Sequence, residues 1–407
     1  MTFREAEDHL LGLELFGMRF GLDRMHKLMT ALGMPQRRFA QVHVVGSNGK
    51  SSTTRFIAAI LQRHGLRTGS YTSPHLSSFR ERIEVGEEAV SPGRFAAAVE
   101  RAAQAAAMVE RTLDADDGVT QFEALTAAAY HELAASRVEV AVIEAGLGGR
   151  YDATNVIPSR VQVLTGVGLE HTRWLGPTLV DIAEEKLAVV RDHSTLVVGP
   201  DLQPEVREVA ERVASERGAS LITAQVAPGS FQRRNFALAV AAAGAFLDFE
   251  PDSDAVARAA AQTRIPGRLE VVADRPLTLH DGAHNPAGAR ALAAAVPDVI
   301  GDRSPLVLVA SVLEDKDVAG MLEALLGVAG HAVFTRCSNP RALSPGTLES
   351  LSAKLGGPPT ETVAGPRAAV ARAREIAGPG GAVVATGSIY LIADLVREAS
   401  QSRASAL

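Results

Sequence analysis

The sequence predicts an α/β protein of two domains, each a parallel sheet flanked by helices, and three observations lead there. Short apolar runs alternate with helical segments along nearly the whole chain, the pattern of βαβ units. A glycine-rich turn, Gly46-Ser47-Asn48-Gly49-Lys50-Ser51-Ser52, separates the apolar run Val42 to Val45 from a helical stretch. Near Ile265-Pro266-Gly267-Arg268 an alanine-rich helical section stops and a new strand series begins at Leu269. Residues 1–268 are therefore expected to form the larger domain and 269–407 a smaller, Rossmann-like one.

The elements follow in order. Val42 to Val45 reads as a strand and Lys50 to Gln62 as the helix after the turn. Ser91-Pro92 starts a helix to Leu113, because serine caps free N–H groups and proline suits the first helical position. Gln121 to Ser136, Leu179 to Arg191, Pro204 to Arg217 and the alanine-rich Asn235 to Gln262 also read as helical. Between them Val138 to Glu144, Val161 to Val167 and Thr195 to Val198 are apolar enough for parallel strands buried on both faces. The second domain repeats the pattern with strands at Leu277 to Leu279, Pro305 to Ala310 and Gly381 to Thr386, and helices at Pro286 to Ala295 and Val318 to Leu326.

Composition narrows the function classes. With 46% hydrophobic residues among 407, the chain buries substantial cores and is not disordered. A net charge of -6, with no basic cluster longer than Arg37-Arg38 or Arg233-Arg234, argues against nucleic acid as a partner. No apolar run reaches the roughly 18 residues of a membrane span, and Met1 to Glu5 lacks a basic start followed by an apolar core. A cytoplasmic protein is expected. The single cysteine, Cys337, excludes an internal disulfide and a thiolate metal cluster, leaving oxygen or imidazole ligands for any metal.

The turn at Gly46 to Ser52 reads G-x-x-G-K-S, two spacer residues shorter than the usual G-x-x-x-x-G-K-[ST]. Glycines let the backbone aim N–H groups at phosphate, the helix N-terminus adds positive potential, and Lys50 supplies a mobile charge. Further candidates lie at or after strand ends, where open parallel sheets bind ligands. Thr72-Ser73-Pro74-His75 could hold a metal or substrate, or be a solvated turn. Glu144 ends an apolar strand, where a buried carboxylate needs a cation, and an acid beside a phosphate loop is a common magnesium ligand. The following Gly146-Leu147-Gly148-Gly149 does not complete G-x-G-x-x-G, because Tyr151 takes the last place. His171 follows another strand; Lys186, taken alone, is a solvated helix charge. Gln232, Asn235 and Arg268 could read a base or bridge phosphate across a cleft, or serve as caps and surface charges. In His280-Asp281-Gly282-Ala283-His284-Asn285-Pro286, Asp281 and His284 could hold a ribose or phosphate, although Asn285-Pro286 also reads simply as a helix start.

In this order, together with Gly21 to Arg24, Thr120 to Glu123, Trp174-Leu175-Gly176, Leu313 to Asp317 and Thr386 to Tyr390, these segments resemble the folylpolyglutamate synthase and dihydrofolate synthase family of the Mur ligase superfamily. The resemblance implies a P-loop ATPase domain followed by a glutamate ligase domain. It implies MgATP-dependent ligation of L-glutamate to a folate, and also to dihydropteroate, through an acyl phosphate, by a monomer. Carried over by position, Gly46, Ser47, Asn48, Gly49, Lys50, Ser51, Ser52, Asn235, Arg268, Asp281 and His284 bind ATP. Ser73, Glu144, His171 and a carbamylated Lys186 hold Mg2+; Lys50, His171 and Lys186 act in catalysis; Phe79, Arg82 and Phe122 lie at the folate. The chain departs from the family at Ser47 and Ser51, where threonine and glycine are usual, and at Phe231 and Ile265, where histidine and tryptophan are frequent. Two other readings stand beside this one. One is a Mur-type amino-acid ligase acting on another carboxylate such as a cell-wall precursor, disfavoured by the Ser73 to Arg82 and Thr120 to Glu123 matches. The other is a nucleotide-binding module without catalysis, disfavoured by Glu144, His171, Lys186 and Asp281.

Overall fold

The strand β1 (Ala40–Val45) is buried along nearly its whole length, so both of its faces must be covered. In the computed structural model, which describes residues 1–14, 21–114, 117–226 and 229–397, helices cover both faces. Alternation along the strands sorts the cores. Val140 and Val142 of β5 (Val140–Glu144) join Val42 and Val44 against the helices Lys50–Arg63 and Phe231–Leu247. Ala141 and Ile143 point the other way, onto the helices Pro92–Glu110 and Gln121–Ala135.

The remaining strands of this sheet are β2 (Thr68–Tyr71), β3 (Ile83–Val85), β4 (Glu88–Ala89), β6 (Val161–Leu164), β7 (Thr195–Val198) and β8 (Ser220–Thr223). Their spatial order is β4-β3-β2-β5-β1-β6-β7-β8. All neighbours pair in parallel except β3 and β4, which turn back at one edge. The second sheet holds β9 (Glu270–Asp274), β10 (Leu277–His280), β11 (Leu306–Ala310), β12 (His331–Phe334), β13 (Thr360–Thr362) and β14 (Ala382–Thr386), in the order β13-β12-β11-β14-β10-β9. Only β9 runs antiparallel, again at an edge.

The α/β expectation holds, with local corrections, and the helices expected to reach Leu113 and Arg191 stop at Glu110 and Leu187. The single helical section expected over Asn235 to Gln262 is two helices, Phe231–Leu247 and Ser253–Gln262, because Asp248 turns into the left-handed region at φ 61° and Pro251 follows. The helix from Pro286 runs past Ala295 through Pro297 to Ile300, since Val296 and Ile300 bury against the second sheet. The strand expected to reach Val167 stops at Leu164, where Thr165 and Gly166 leave the sheet to brace the phosphate loop. Among the described residues no helix is long and apolar enough to cross a membrane.

The two sheets meet through specific contacts. Leu76, in the loop after β2, packs among Val307, Val309, Leu391 and Ile392 of the second sheet's core. Asn48 of the phosphate loop exchanges amide hydrogen bonds with Asn285 at 3.1 and 3.4 Å.

Candidate active site

Because β1, β2, β5 and β6 are parallel, the loops after them open on one edge of the sheet, with β1 between strands whose connections run in opposite directions. That is where the glycine-rich turn sits. Gly49 caps the helix Lys50–Arg63 at φ 84°, and a side chain there would strike the Asn235 carboxamide. The turn is laced to the segment after β6: Ser47 N–H donates to Gly166 O at 2.9 Å, Thr165 Oγ1 to Asn48 O at 2.7 Å, and Gly168 N–H to Ser47 Oγ at 2.9 Å. Lys50 folds back over it, Nζ donating to Gly46 O at 3.0 Å and Ser47 O at 3.3 Å.

Glu144, at the end of β5, is fully buried beside this loop. Ser51 Oγ donates to its Oε1 at 2.9 Å and Ser73 N–H to its Oε2 at 3.1 Å. Burial pushes its carboxyl above the ordinary range, against the pull of Lys50, these two donors and Arg268. A second ion centre lies on the other side of the loop. The buried Lys186 Nζ donates to Gly46 O and to Glu170 Oε1, both at 3.0 Å. Burial pushes the Glu170 carboxyl up, but Lys186 and Lys50 outweigh it and hold it near 2. Lys186 is not raised in return: burial lowers it, and Lys50 adds to that against Glu170. The pair is therefore less favourable than the glutamate alone would indicate, because the ammonium gives back in desolvation much of what it gains. His171 lies exposed beside Glu170 at φ 48°, its imidazole lowered first by desolvation and then by the cations Lys316, Lys50 and Lys186 against Glu170.

The second sheet presents its own strand ends to this edge. Asp281, after β10, is buried and accepts from Leu269 N–H and Ala283 N–H, each at 2.8 Å. Burial raises its carboxyl, opposed chiefly by Arg268. The half-buried His284 donates from Nδ1 to Gly282 O at 3.0 Å and is held at about 4 by burial, with Arg268 adding to it. Arg268 thus interacts with Glu144 in one domain and with Asp281 and His284 in the other, and Gln232 Nε2 fixes its carbonyl at 3.1 Å. Asn235 is tied to Gln232 at 3.2 Å, and Ser52 is buried in the first turn of its helix.

The pterin-side candidates separate. Phe122 is half-buried, with Gly146 against its ring and Tyr71 at 6.1 Å. Phe79 and Arg82 are each 1% exposed, so neither offers a face to solvent in this conformation. Arg82 lies over the Phe79 ring at 5.5 Å and donates from Nε to His75 Nδ1 at 3.0 Å.

Among the described residues no group of three or more histidine, cysteine, aspartate or glutamate side chains is placed to hold a metal. Magnesium keeps water and phosphate oxygens and takes only one or two protein carboxylates. Glu144, a buried carboxylate held by Ser51 and Ser73, has the oxygen donors such an ion would take.

Two residues of the site carried no role in the sequence reading. Glu170 stands beside the more conspicuous His171, and an acid next to a candidate ligand after a strand is the signal that marks it. Asn285 reads in the sequence as a helix start, which it is, but its amide also reaches Asn48.

With this geometry in place, comparisons converge. The family model of the Mur ligase glutamate ligase domain matches residues 267–389. The dihydrofolate synthase/folylpolyglutamate synthase of Mycobacterium tuberculosis is 35% identical over 83% of this chain and 78% of its own. The folylpolyglutamate synthase of Lacticaseibacillus casei is 32% identical over 92% and 93%. A probable bifunctional folylpolyglutamate synthase/dihydropteroate synthase of Haloferax volcanii is 33% identical over 97% of this chain, which spans 50% of that longer protein. Among solved structures, Mycobacterium tuberculosis folylpolyglutamate synthase complexed with ADP superposes with a TM-score of 0.88 at 32% identity, covering 97% of each chain. An Escherichia coli protein in complex with DHPP and ADP gives 0.84 at 27% identity, again with 97% of each covered. Fold, site and relatives define an ATP-dependent ligase of the Mur type. Within that class, the chain belongs to the folylpolyglutamate synthase/dihydrofolate synthase family.

Proposed function

We propose that this chain joins L-glutamate to the carboxylate of a folate, and to dihydropteroate, with MgATP as the energy source. The observation that supports it most is convergence at one edge: Lys50, Glu144 and the Lys186–Glu170 pair from the first sheet face Arg268, Asp281 and His284 across the junction. The relatives solved with ADP, and with DHPP and ADP, support the same ligand classes here. We divide the chain at residues 1–268 and 269–407, which leaves the cleft between the nucleotide and the amine.

Each residue has a part in that reading. The loop Gly46 to Ser52 surrounds the phosphates with N–H groups, and Lys50 unfolds from the Gly46 and Ser47 carbonyls to meet the terminal one. Asn235, Arg268, Asp281 and His284 hold the nucleotide from both domains. Glu144, with Ser73 and His171, would hold magnesium, which neutralises crowded phosphate charge when bound. Lys186 is a fourth candidate ligand once carbamylated; its lowered basicity favours the neutral amine that such a modification needs. The folate lies against Phe122, with Phe79 and Arg82 behind the loop from Ser73. Its carboxylate attacks the γ-phosphate, ADP leaves, and the glutamate amine then displaces phosphate from the acyl phosphate. Closure of the second domain keeps water from that intermediate. We further read the protein as a cytoplasmic monomer, which gel filtration tests for assembly.

The test is product formation. Amide, and ADP beyond a single turnover, must appear only when folate and glutamate are both present, and Lys50→Ala must slow both by about 100-fold or more. A cell-wall precursor accepted in place of folate, or nucleotide binding with no amide, overturns the reading.

A further inference from the structure

Leu76 belongs by sequence to the loop that follows β2, yet its side chain lies in the hydrophobic core of the second domain. It is 6% exposed, and its neighbours there include Val307, Val309, Leu391 and Ile392. Its carbonyl is held from the same side: Arg397, just beyond the helix Ile389–Val396, donates from Nε to Leu76 O at 3.0 Å. The turn itself is stiff, because Glu81 accepts from Leu76 N–H at 2.9 Å, from Ser77 N–H at 3.1 Å and from Ser78 N–H at 2.9 Å. Three residues before Leu76, Ser73 N–H donates to Glu144 Oε2 at 3.1 Å. A short, internally bonded segment therefore has one end on the buried carboxylate beside the phosphate loop and its apex in the other domain.

We propose that Leu76 and Arg397 are positioning residues: they make the loop Ser73 to Glu81 a strut through which the second domain sets the place of Glu144 and of the substrate on this loop. The inference rests on the ligase reading of the site above. Leu76 supplies the anchor, since withdrawing it would expose an apolar side chain and leave a hole in the second core. Arg397 supplies direction, since a single hydrogen bond to the carbonyl fixes the rotation of the loop about that anchor. Among the described residues its Nη2 is buried without a hydrogen-bond partner, so Nε is the donor that reaches the strut's backbone, and its charge lies near Glu81 of the same segment. When the second domain sits correctly, the Ser73 amide meets Glu144; when it does not, the carboxylate loses that donor and moves.

Arg397 permits a test that separates positioning from plain stability. Glutamine places its Nε2 donor at the same point along the side chain as Nε of arginine, whereas methionine has similar length and no donor. Wild type, Leu76→Ala, Arg397→Met and Arg397→Gln are compared for melting temperature, for affinity towards the non-hydrolysable nucleotide AMPPCP, and for kcat and amide formed per ADP with folate and glutamate saturating. In Leu76→Ala and Arg397→Met, kcat is expected to fall about 10- to 100-fold, the range for small misplacement of reacting groups. Amide per ADP should fall with it, AMPPCP affinity should stay within about twofold, and Arg397→Gln should restore most of the rate. Rates per folded molecule within about twofold of wild type in the first two variants overturn the strut. So does equal loss in Arg397→Met and Arg397→Gln. A wild type that forms no amide at all refutes the ligase reading instead.

Discussion

Replacing Glu170 by glutamine removes the one carboxylate that, among the described residues, is bonded to the buried Lys186, and leaves the side chain's shape almost unchanged. Breaking a buried pair by removing one partner typically costs about 3–5 kcal/mol. Three features here reduce that. Lys186 keeps Gly46 O as an acceptor at 3.0 Å, the new amide oxygen can also accept, and burial has already lowered the lysine, so it sheds its proton more easily. A loss of about 2 kcal/mol at neutral pH is the expected balance. For a domain of this size that lowers the melting temperature by about 4–8 °C. The chain's single tryptophan, Trp174, stands 41% exposed on the helix after His171, so its fluorescence follows this region as it unfolds. The pH dependence gives a second check. The Glu170 carboxyl is depressed in the fold, from 4.5 to about 2, so its stabilisation is present above 4.5 and is lost as pH falls through about 2. The gap between wild type and Glu170→Gln should therefore be widest near neutrality and shrink in acid. Equal melting temperatures at neutral pH, or a gap that does not change on acidification, would refute the pairing as the source of stability.

Three further outcomes are expected. Lys50→Ala should slow ADP formation by about 100-fold or more with both co-substrates saturating, the scale for losing one preorganised charge at a reacting phosphate. Gly146→Ala would place a Cβ 2.6 Å from the Phe122 ring, so the folate KM should rise about tenfold while AMPPCP affinity is unchanged; calorimetry with nucleotide and steady-state rates with folate separate the two. Gly49→Ala forces an L-residue to φ 84° against Asn235, which should cost about 1–3 kcal/mol and weaken nucleotide binding together with stability.

Much of this architecture is legible in the chain because parallel strands buried on both faces are continuous apolar runs. Val138 to Glu144 and Pro305 to Ala310 stand out for that reason. β2 does not, since Thr68-Gly69-Ser70-Tyr71 has no apolar run and is fully buried only through its neighbours. The antiparallel pair β3 and β4 turns at Gly86-Glu87 within too few residues for a periodic signal. Pro297 would end an exposed helix, but burial of Val296 and Ile300 carries this one through it. The site follows the same logic. A phosphate loop advertises itself through adjacent residues, whereas the partners of Lys186 are Glu170 and Gly46, and nothing local in the sequence joins them. Leu76 is the extreme case: an ordinary apolar residue in a loop whose core lies in another domain.

The most direct measurement is mass analysis of the pterin product after incubation with ATP, magnesium and L-glutamate, with the nucleotide products resolved in the same samples. Dihydropteroate and a reduced folate should each gain one glutamyl residue per ADP and phosphate released, and omission of glutamate should leave both unextended. An unchanged pterin despite nucleotide turnover, or AMP and pyrophosphate in place of ADP and phosphate, would contradict ligation through an acyl phosphate.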